Sequence, residues 1–211
     1  MLLGILSISL FVPINNIHSC IFLDWEVAHR AACLDAPENS IEALRLAHKN
    51  GAKIVEFDVS FTSCMSPVVF HDDEVDRVTT GVGKITSISH SNLKKLDLST
   101  KHPLGAAYKQ PVLIADLSDF VAECVQLRMK MIIDLKTYDA ADETANVILE
   151  LYRKFPAMRA TAIVTSFYPN LLYLLRRRNP DIVCSVSTRP HFFSSSAYDG
   201  NVETLKARWC Y

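Results

Sequence analysis

From residue 27 onward the chain alternates short apolar runs with amphipathic stretches, a rhythm that predicts a parallel α/β architecture. The first run, Val27-Ala28, ends on His29-Arg30. A helix is expected from about Asn39: Ile41, Leu44 and Ala47 recur at helical spacing, Asn39 and Ser40 are N-cap residue types, and Asn50-Gly51 is a C-terminal signal. Residues 53–61 (KIVEFDVSF) predict a strand in which Ile54, Val55, Phe57, Val59 and Phe61 largely alternate with Glu56, Asp58 and Ser60. Glu56 and Asp58 then share one strand face. A polar turn over 62–67 returns the chain as Val68-Val69-Phe70, ending on His71-Asp72-Asp73, which predicts a hairpin.

Residues 74–112 carry no long periodic run; Gly81-Val82-Gly83 predicts a turn, and a short helix is expected around 91–96. Beyond them the pattern predicts a helix over 115–128, a strand over 131–135, a helix over 140–155, a strand over 162–165, a helix over 170–178 and a strand over 182–186. After Arg189-Pro190 no strand is predicted before Tyr211.

With 211 residues, 49% hydrophobic and 21% charged, the chain has material for one sizeable core. Lys+Arg 22 against Asp+Glu 23 leaves a formal net charge of −1, too little field to gather nucleic acid, so no nucleic-acid partner is expected. Any phosphate must be met by a local site. The six cysteines form no C-x-x-C pair, which excludes a zinc knuckle and a thioredoxin-like motif; they read as buried or free thiols, or as disulfides in an oxidising compartment.

Residues 1–14 (MLLGILSISLFVPI) are uncharged and apolar, a run shorter than the ~18–20 residues that span a bilayer. A signal h-region, a clipped anchor or a buried segment all fit it. The expectation taken is membrane association or the secretory pathway, with an apolar segment over 1–25 ahead of one domain over 26–211.

Four segments place polar residues at or just past predicted strand ends: His29-Arg30, Glu56-x-Asp58, His71-Asp72 and Asp134-x-Lys136. That rim is where catalytic groups collect in parallel barrels, because the loops above it are free of packing duties. Glu56 and Asp58, with Asp134 from another strand, offer the all-oxygen donor set that hard Mg²⁺ or Ca²⁺ prefers. E-x-D alone reads equally as a solvated polar face, but carboxylates beside Ile54, Val55 and Phe57 in a buried strand need a partner or a metal. His29 and His71 titrate in the range that suits general acid–base work, although a lone histidine is more often simply satisfied. His18, His48, His90, His102 and His191 are assigned to that plainer class. Arg30, by a planar fork, and Lys136, as a point charge, can neutralise phosphate oxygens.

These residues sit in a longer series of motifs. His29-Arg30-Ala31-Ala32, Ala36-Pro37-Glu38-Asn39-Ser40, Val55-Glu56-Phe57-Asp58-Val59, Pro67-Val68-Val69-Phe70-His71-Asp72 and Asp76-Arg77-Val78-Thr79-Thr80-Gly81-Val82-Gly83 follow in order, then Ile133-Asp134-Leu135-Lys136 and Thr165-Ser166-Phe167. Together, over about residues 27–190, they resemble the glycerophosphodiester phosphodiesterase domain. Ala36-Pro37-Glu38-Asn39 and Arg189-Pro190 are most similar to its small membrane-anchored animal branch.

The resemblance implies a metal, Mg²⁺ or Ca²⁺, held by Glu56, Asp58 and Asp134, acid–base roles for His29 and His71, and phosphate contacts from Arg30 and Lys136. It implies hydrolysis of a small-molecule glycerophosphodiester, of the glycerophosphoinositol or lysophospholipid-like kind, to glycerol 3-phosphate and an alcohol. The implied fold is a TIM-type (β/α) barrel, truncated here at about five of eight parallel strands plus a β-hairpin. The edge beside the 182–186 strand is therefore expected to lie open. Two departures stand out: Ala31-Ala32 where the family carries glycine after His-Arg, and Asp134 where many members carry Glu. Chain length keeps a rival reading in view, a truncated and catalytically inactive membrane-associated isoform.

Overall fold

The strands in chain order are β1 (Ser7–Phe11), β2 (Val27–Ala28), β3 (Ile54–Phe61), β4 (Pro67–Val69), β5 (Lys130–Leu135), β6 (Ala162–Ser166) and β7 (Cys184–Thr188). The helices are α1 (Ile41–Lys49), α2 (His90–Leu93), α3 (Leu117–Gln126), α4 (Ala141–Lys154), α5 (Met158–Thr161) and α6 (Pro169–Arg178). This computed structural model describes residues 7–11, 27–137 and 140–188. They form one sheet of order β1-β7-β6-β5-β3-β2, with β4 paired to β3. The neighbours β2, β3, β5, β6 and β7 run parallel, which is the α/β sheet of a TIM-type barrel with five parallel strands among the described residues.

One helix start agrees with the sequence expectation and one sheet edge departs from it. The helix expected from Asn39 starts at Ile41, because Ser40 is its N-cap: the Ser40 hydroxyl accepts from the Ala43 N–H at 3.0 Å and donates to the Pro37 carbonyl at 2.6 Å. The edge expected to lie open beside β7 is paired instead. β1 runs antiparallel to β7, from Ser7 opposite Thr188 to Phe11 opposite Cys184, so part of the apolar N-terminal run serves as a strand. The rest of that run, Cys20, Arg189-Pro190, His191 and the Trp209-Cys210 end lie outside the described residues.

Strand alternation sorts the sheet into two faces. Val55, Phe57, Val59, Met131, Ile133 and Val164 pack with Leu117, Phe120, Ile148 and Leu175 of the helices into the main core, where the Phe57 and Phe120 rings lie 4.6 Å apart. The opposite face carries Glu56, Asp58, Asp134, Thr165, Ser185 and Ser187. The β3–β4 hairpin forms as expected, with Val59 opposite Val69 and Phe61 opposite Pro67. The stretch after it, irregular in sequence, has a small core of its own: Phe70, Val75, Ile85, Leu93, Val112 and Ile114 are buried together and seat the loop after β4.

Candidate active site

Strand register assembles the acidic residues. Asp58 of β3 pairs with Asp134 of β5, and Asp134 with Thr165 of β6, so three interior-facing positions form one row across the sheet. Glu56 lies two residues before Asp58, on the same face. One carboxylate oxygen from each of Glu56, Asp58 and Asp134 lies within 4.8 Å of the others.

Neutral groups orient these carboxylates. Asn39, held at φ +58°, turns its amide onto Asp58: its Nδ2 donates to Asp58 Oδ2 at 2.9 Å and its Oδ1 accepts from the Asp58 N–H at 3.2 Å. Thr165 Oγ1 donates to Asp134 Oδ1 at 3.0 Å, with Ser187 Oγ 3.4 Å from the same oxygen. Lys136 sets its Nζ 2.9 Å from Asp58 Oδ1 and 2.6 Å from Asp134 Oδ2. Burial alone would lower the Lys136 ammonium's pKa; the attraction of Asp58 and Asp134 outweighs it and raises the value.

The second wall is the tight turn that ends β2. His29–Ala31 form one 3-10 turn in which Arg30, Ala31 and Ala32 all have positive φ, +49°, +57° and +75°. The glycine-to-alanine departure therefore falls on left-handed backbone, where a Cβ costs roughly 1 kcal/mol per residue. The turn is tied to the acidic cluster because the Arg30 N–H donates to Glu56 Oε2 at 2.9 Å. It also brings His29 Nε2 to 3.9 Å from that oxygen, with the His29 side chain 59% exposed. Burial of the ring, then the neighbouring Arg30 charge, lowers the His29 pKa. The Arg30 side chain donates from Nη1 to Glu38 Oε1 at 3.0 Å, while its Nε lies 3.7 Å from Asp58 Oδ2, buried and without a hydrogen-bond partner.

His71 follows β4, where the Phe70 N–H donates to the Asp58 carbonyl at 3.0 Å and so ties the end of the hairpin to the strand bearing the carboxylates. Its Nδ1 lies 2.6 Å from Asp72 Oδ1. A positive charge on His71 also disfavours one on His29, which places the two rings in the same field. Six of the seven residues expected from sequence, all but His71, are thus joined by measured contacts within 4.8 Å, and His71 approaches from the hairpin side.

The donor set fits a hard divalent cation. Three carboxylates converge against two cationic side chains among the described residues, Arg30 and Lys136, and Glu56 carries the imbalance: burial first, then the Asp58 charge, pushes it up to about 8. The unpartnered Arg30 Nε is a buried donor facing the same space.

The sequence assigns none of Asn39, Glu38, Asp72, Arg77, Thr165 or Ser187 a catalytic or binding role. Thr165 had a usable signal, since it ends a predicted strand with the same parity as Asp134. Asn39 reads as a cap type in the sequence because a side chain that reaches across nineteen residues leaves no mark on local pattern.

A family model described as the glycerophosphoryl diester phosphodiesterase family matches residues 29–199. The chain is 34% identical over 164 residues to glycerophosphodiester phosphodiesterase 1 of Homo sapiens, an alignment covering 78% of this chain and 49% of that protein. It therefore spans about half the length of the curated relatives it matches. A phosphodiesterase of Oleispira antarctica, solved in complex with the product sn-glycerol-3-phosphate, is similar with TM-score 0.73 at 29% identity over 91% of this chain and 74% of that one. A glycerophosphodiester phosphodiesterase of Agrobacterium tumefaciens gives TM-score 0.66 at 26% identity, covering 75% and 64% respectively.

Proposed function

The chain belongs to the glycerophosphoryl diester phosphodiesterase family, and on that premise we propose that its site hydrolyses glycerophosphodiesters to glycerol 3-phosphate and an alcohol. The observation that carries the reading is the convergence of Glu56, Asp58 and Asp134 beside a buried Arg30 Nε that, among the described residues, has no hydrogen-bond partner. A carboxylate trio needs a cation, and a guanidinium with a spare donor suits a phosphate oxygen.

Glu56, Asp58 and Asp134 would hold Mg²⁺ or Ca²⁺, and the chemistry such an ion would supply there is Lewis-acid stabilisation of negative charge. Asn39 and Thr165 keep Asp58 and Asp134 turned to the site, so the ligands need little reordering. Arg30 binds a phosphate oxygen through Nε while Glu38 holds its other end. Lys136, its Nζ against Asp58 and Asp134, offsets phosphate charge beside the carboxylates. His29 and His71 take the proton of the attacking oxygen and return one to the leaving alcohol oxygen, a task for which the lowered pKa of His29 favours the neutral, proton-accepting form near neutrality.

The substrates proposed are glycerophosphoinositol and lysophospholipid-like diesters, which places the activity in lipid metabolism. Membrane association or the secretory pathway is proposed from the apolar composition of the N-terminal run, although its Ser7–Phe11 stretch pairs with β7; among the described residues no helix is long and apolar enough to cross a membrane. Flotation of the chain with anionic and neutral vesicles tests that part. The rival reading, a catalytically inactive membrane-associated form, draws on the five parallel strands among the described residues. Coupled enzymatic detection of sn-glycerol 3-phosphate from glycerophosphoinositol or glycerophosphocholine with Mg²⁺ decides between them. Hydrolysis lost on Asp58→Asn supports the proposal, and none in the wild-type chain supports the rival.

A further inference from the structure

We propose that Asp72 and Arg77 are positioning residues that fix the tautomer and orientation of His71, with Glu38 as their anchor on the opposite loop. The inference rests on the reading that gives His71 a proton-transfer role.

The geometry is a chain of four side chains from two loops. Asp72 Oδ1 lies 2.6 Å from His71 Nδ1. Arg77 grips the same carboxylate with two donors, Nε to Oδ2 at 2.5 Å and Nη2 to Oδ1 at 3.1 Å. Its other edge grips Glu38, Nη1 to Oε2 at 3.0 Å and Nη2 to Oε1 at 2.6 Å. Glu38 also accepts from Arg30 Nη1 at 3.0 Å. One guanidinium thus holds two carboxylates by paired bonds, which a lysine cannot do.

The chemistry follows from which atoms are occupied. An ionised Asp72 accepts the Nδ1–H of His71, which leaves Nε2 as the nitrogen that exchanges protons. Arg77 prevents the Asp72 carboxylate from rotating away. Burial would raise the Asp72 pKa, but the hydrogen bonds from Arg77 and His71 outweigh it and hold the group below its usual value, so it stays an acceptor. Glu38 follows the same balance, with burial outweighed by Arg77 and Arg30. The Arg77 side chain is 49% exposed, so these pairs add little to stability. Their consequence is geometric: the loop bearing Arg30 and the loop bearing His71 are held in one register.

Two measurements on the full chain test this. The first is ¹⁵N NMR of imidazole-labelled protein, which reads the His71 tautomer whether or not the protein turns over substrate. The wild type is expected to show the Nδ1–H form in its neutral state, and Asp72→Asn and Arg77→Gln to lose most of that preference, with Arg77→Lys also impaired because it keeps the charge but not the fork. The second is steady-state kinetics with a double-mutant cycle. Arg77→Gln is expected to lower kcat about 10- to 100-fold, the scale of a misplaced catalytic group, with KM within about threefold. In a His71→Ala background the same change should cost less than about twofold, because residues acting as a unit are not additive. An unchanged tautomer in both Asp72→Asn and Arg77→Gln, or an equal kinetic cost with and without His71, overturns the proposal. If Arg77→Gln does not fold, Asp72→Asn carries both arms. If the wild type hydrolyses nothing, the hydrolysis reading fails on its own and the NMR result still decides whether the tautomer is held.

Discussion

Raising the pH in the absence of a divalent cation should destabilise this protein through Glu56, and the size of the loss can be worked out. Its carboxyl is pushed up to about 8 from an ordinary 4.5 by burial and by the Asp58 charge. A folded-state pKa above the unfolded value means that the native state binds the proton more tightly. The contribution is therefore fully present below about pH 4.5 and is lost as pH rises through about 8. Between pH 5 and pH 8 the linkage amounts to about 3–4 kcal/mol, or roughly 6–16 °C in Tm for a chain of this size. Glu56→Gln cannot ionise, so the wild-type-minus-variant difference in Tm isolates the effect from His29, whose lowered pKa works in the opposite sense. Chelator-treated protein melted at intervals over that range gives the curve. Adding Mg²⁺ or Ca²⁺ at pH 7 should restore the lost stability and release close to one proton per cation bound, read by calorimetry in two buffers of different ionisation enthalpy. A difference curve flat in pH, with no proton release, would refute the assignment of Glu56 as a proton-holding member of a cation site.

Other substitutions test separate links. His29→Ala and His71→Ala should each lower turnover ~10²–10⁴-fold with Tm nearly unchanged; near-normal kcat in either, with metal occupancy confirmed, removes that ring from proton transfer. Ala32→Gly relieves a left-handed φ of +75° and should raise Tm by about 2–4 °C, whereas a fall would show that the turn is not strained there. Asn39→Ala strips Asp58 of two hydrogen bonds and should weaken divalent-cation affinity about 10–100-fold by isothermal titration, with unchanged affinity contradicting its orienting role.

What the sequence disclosed and what it concealed divide along physical lines. Glu56, Asp58 and Asp134 were legible because strand alternation fixes which face a side chain takes, and both strands carry clear apolar neighbours. Register was not legible, yet it is register that sets Asp58 beside Asp134. The cover of β7 by β1 joins residues far apart in the chain, and the apolar run at the N-terminus reads equally as an anchor or a strand. The left-handed backbone at Ala31 and Ala32 was hidden by the residue type itself, since alanine there argues against the conformation it adopts. The link from Glu38 through Arg77 to Asp72 was hidden because Arg77 looks like any surface charge until both loops are in place.

The central claim is that one site joins a divalent cation to a glycerophosphodiester, and a ³¹P NMR time course tests it most directly. Purified chain would be incubated with glycerophosphoinositol and Mg²⁺, with excess chelator and Asp134→Asn as parallel arms. The diester resonance is expected to fall and that of sn-glycerol 3-phosphate to rise, with both changes abolished by chelator and reduced at least about 100-fold by Asp134→Asn. An unchanged diester in the wild-type arm, or equal rates with and without chelator, would contradict it.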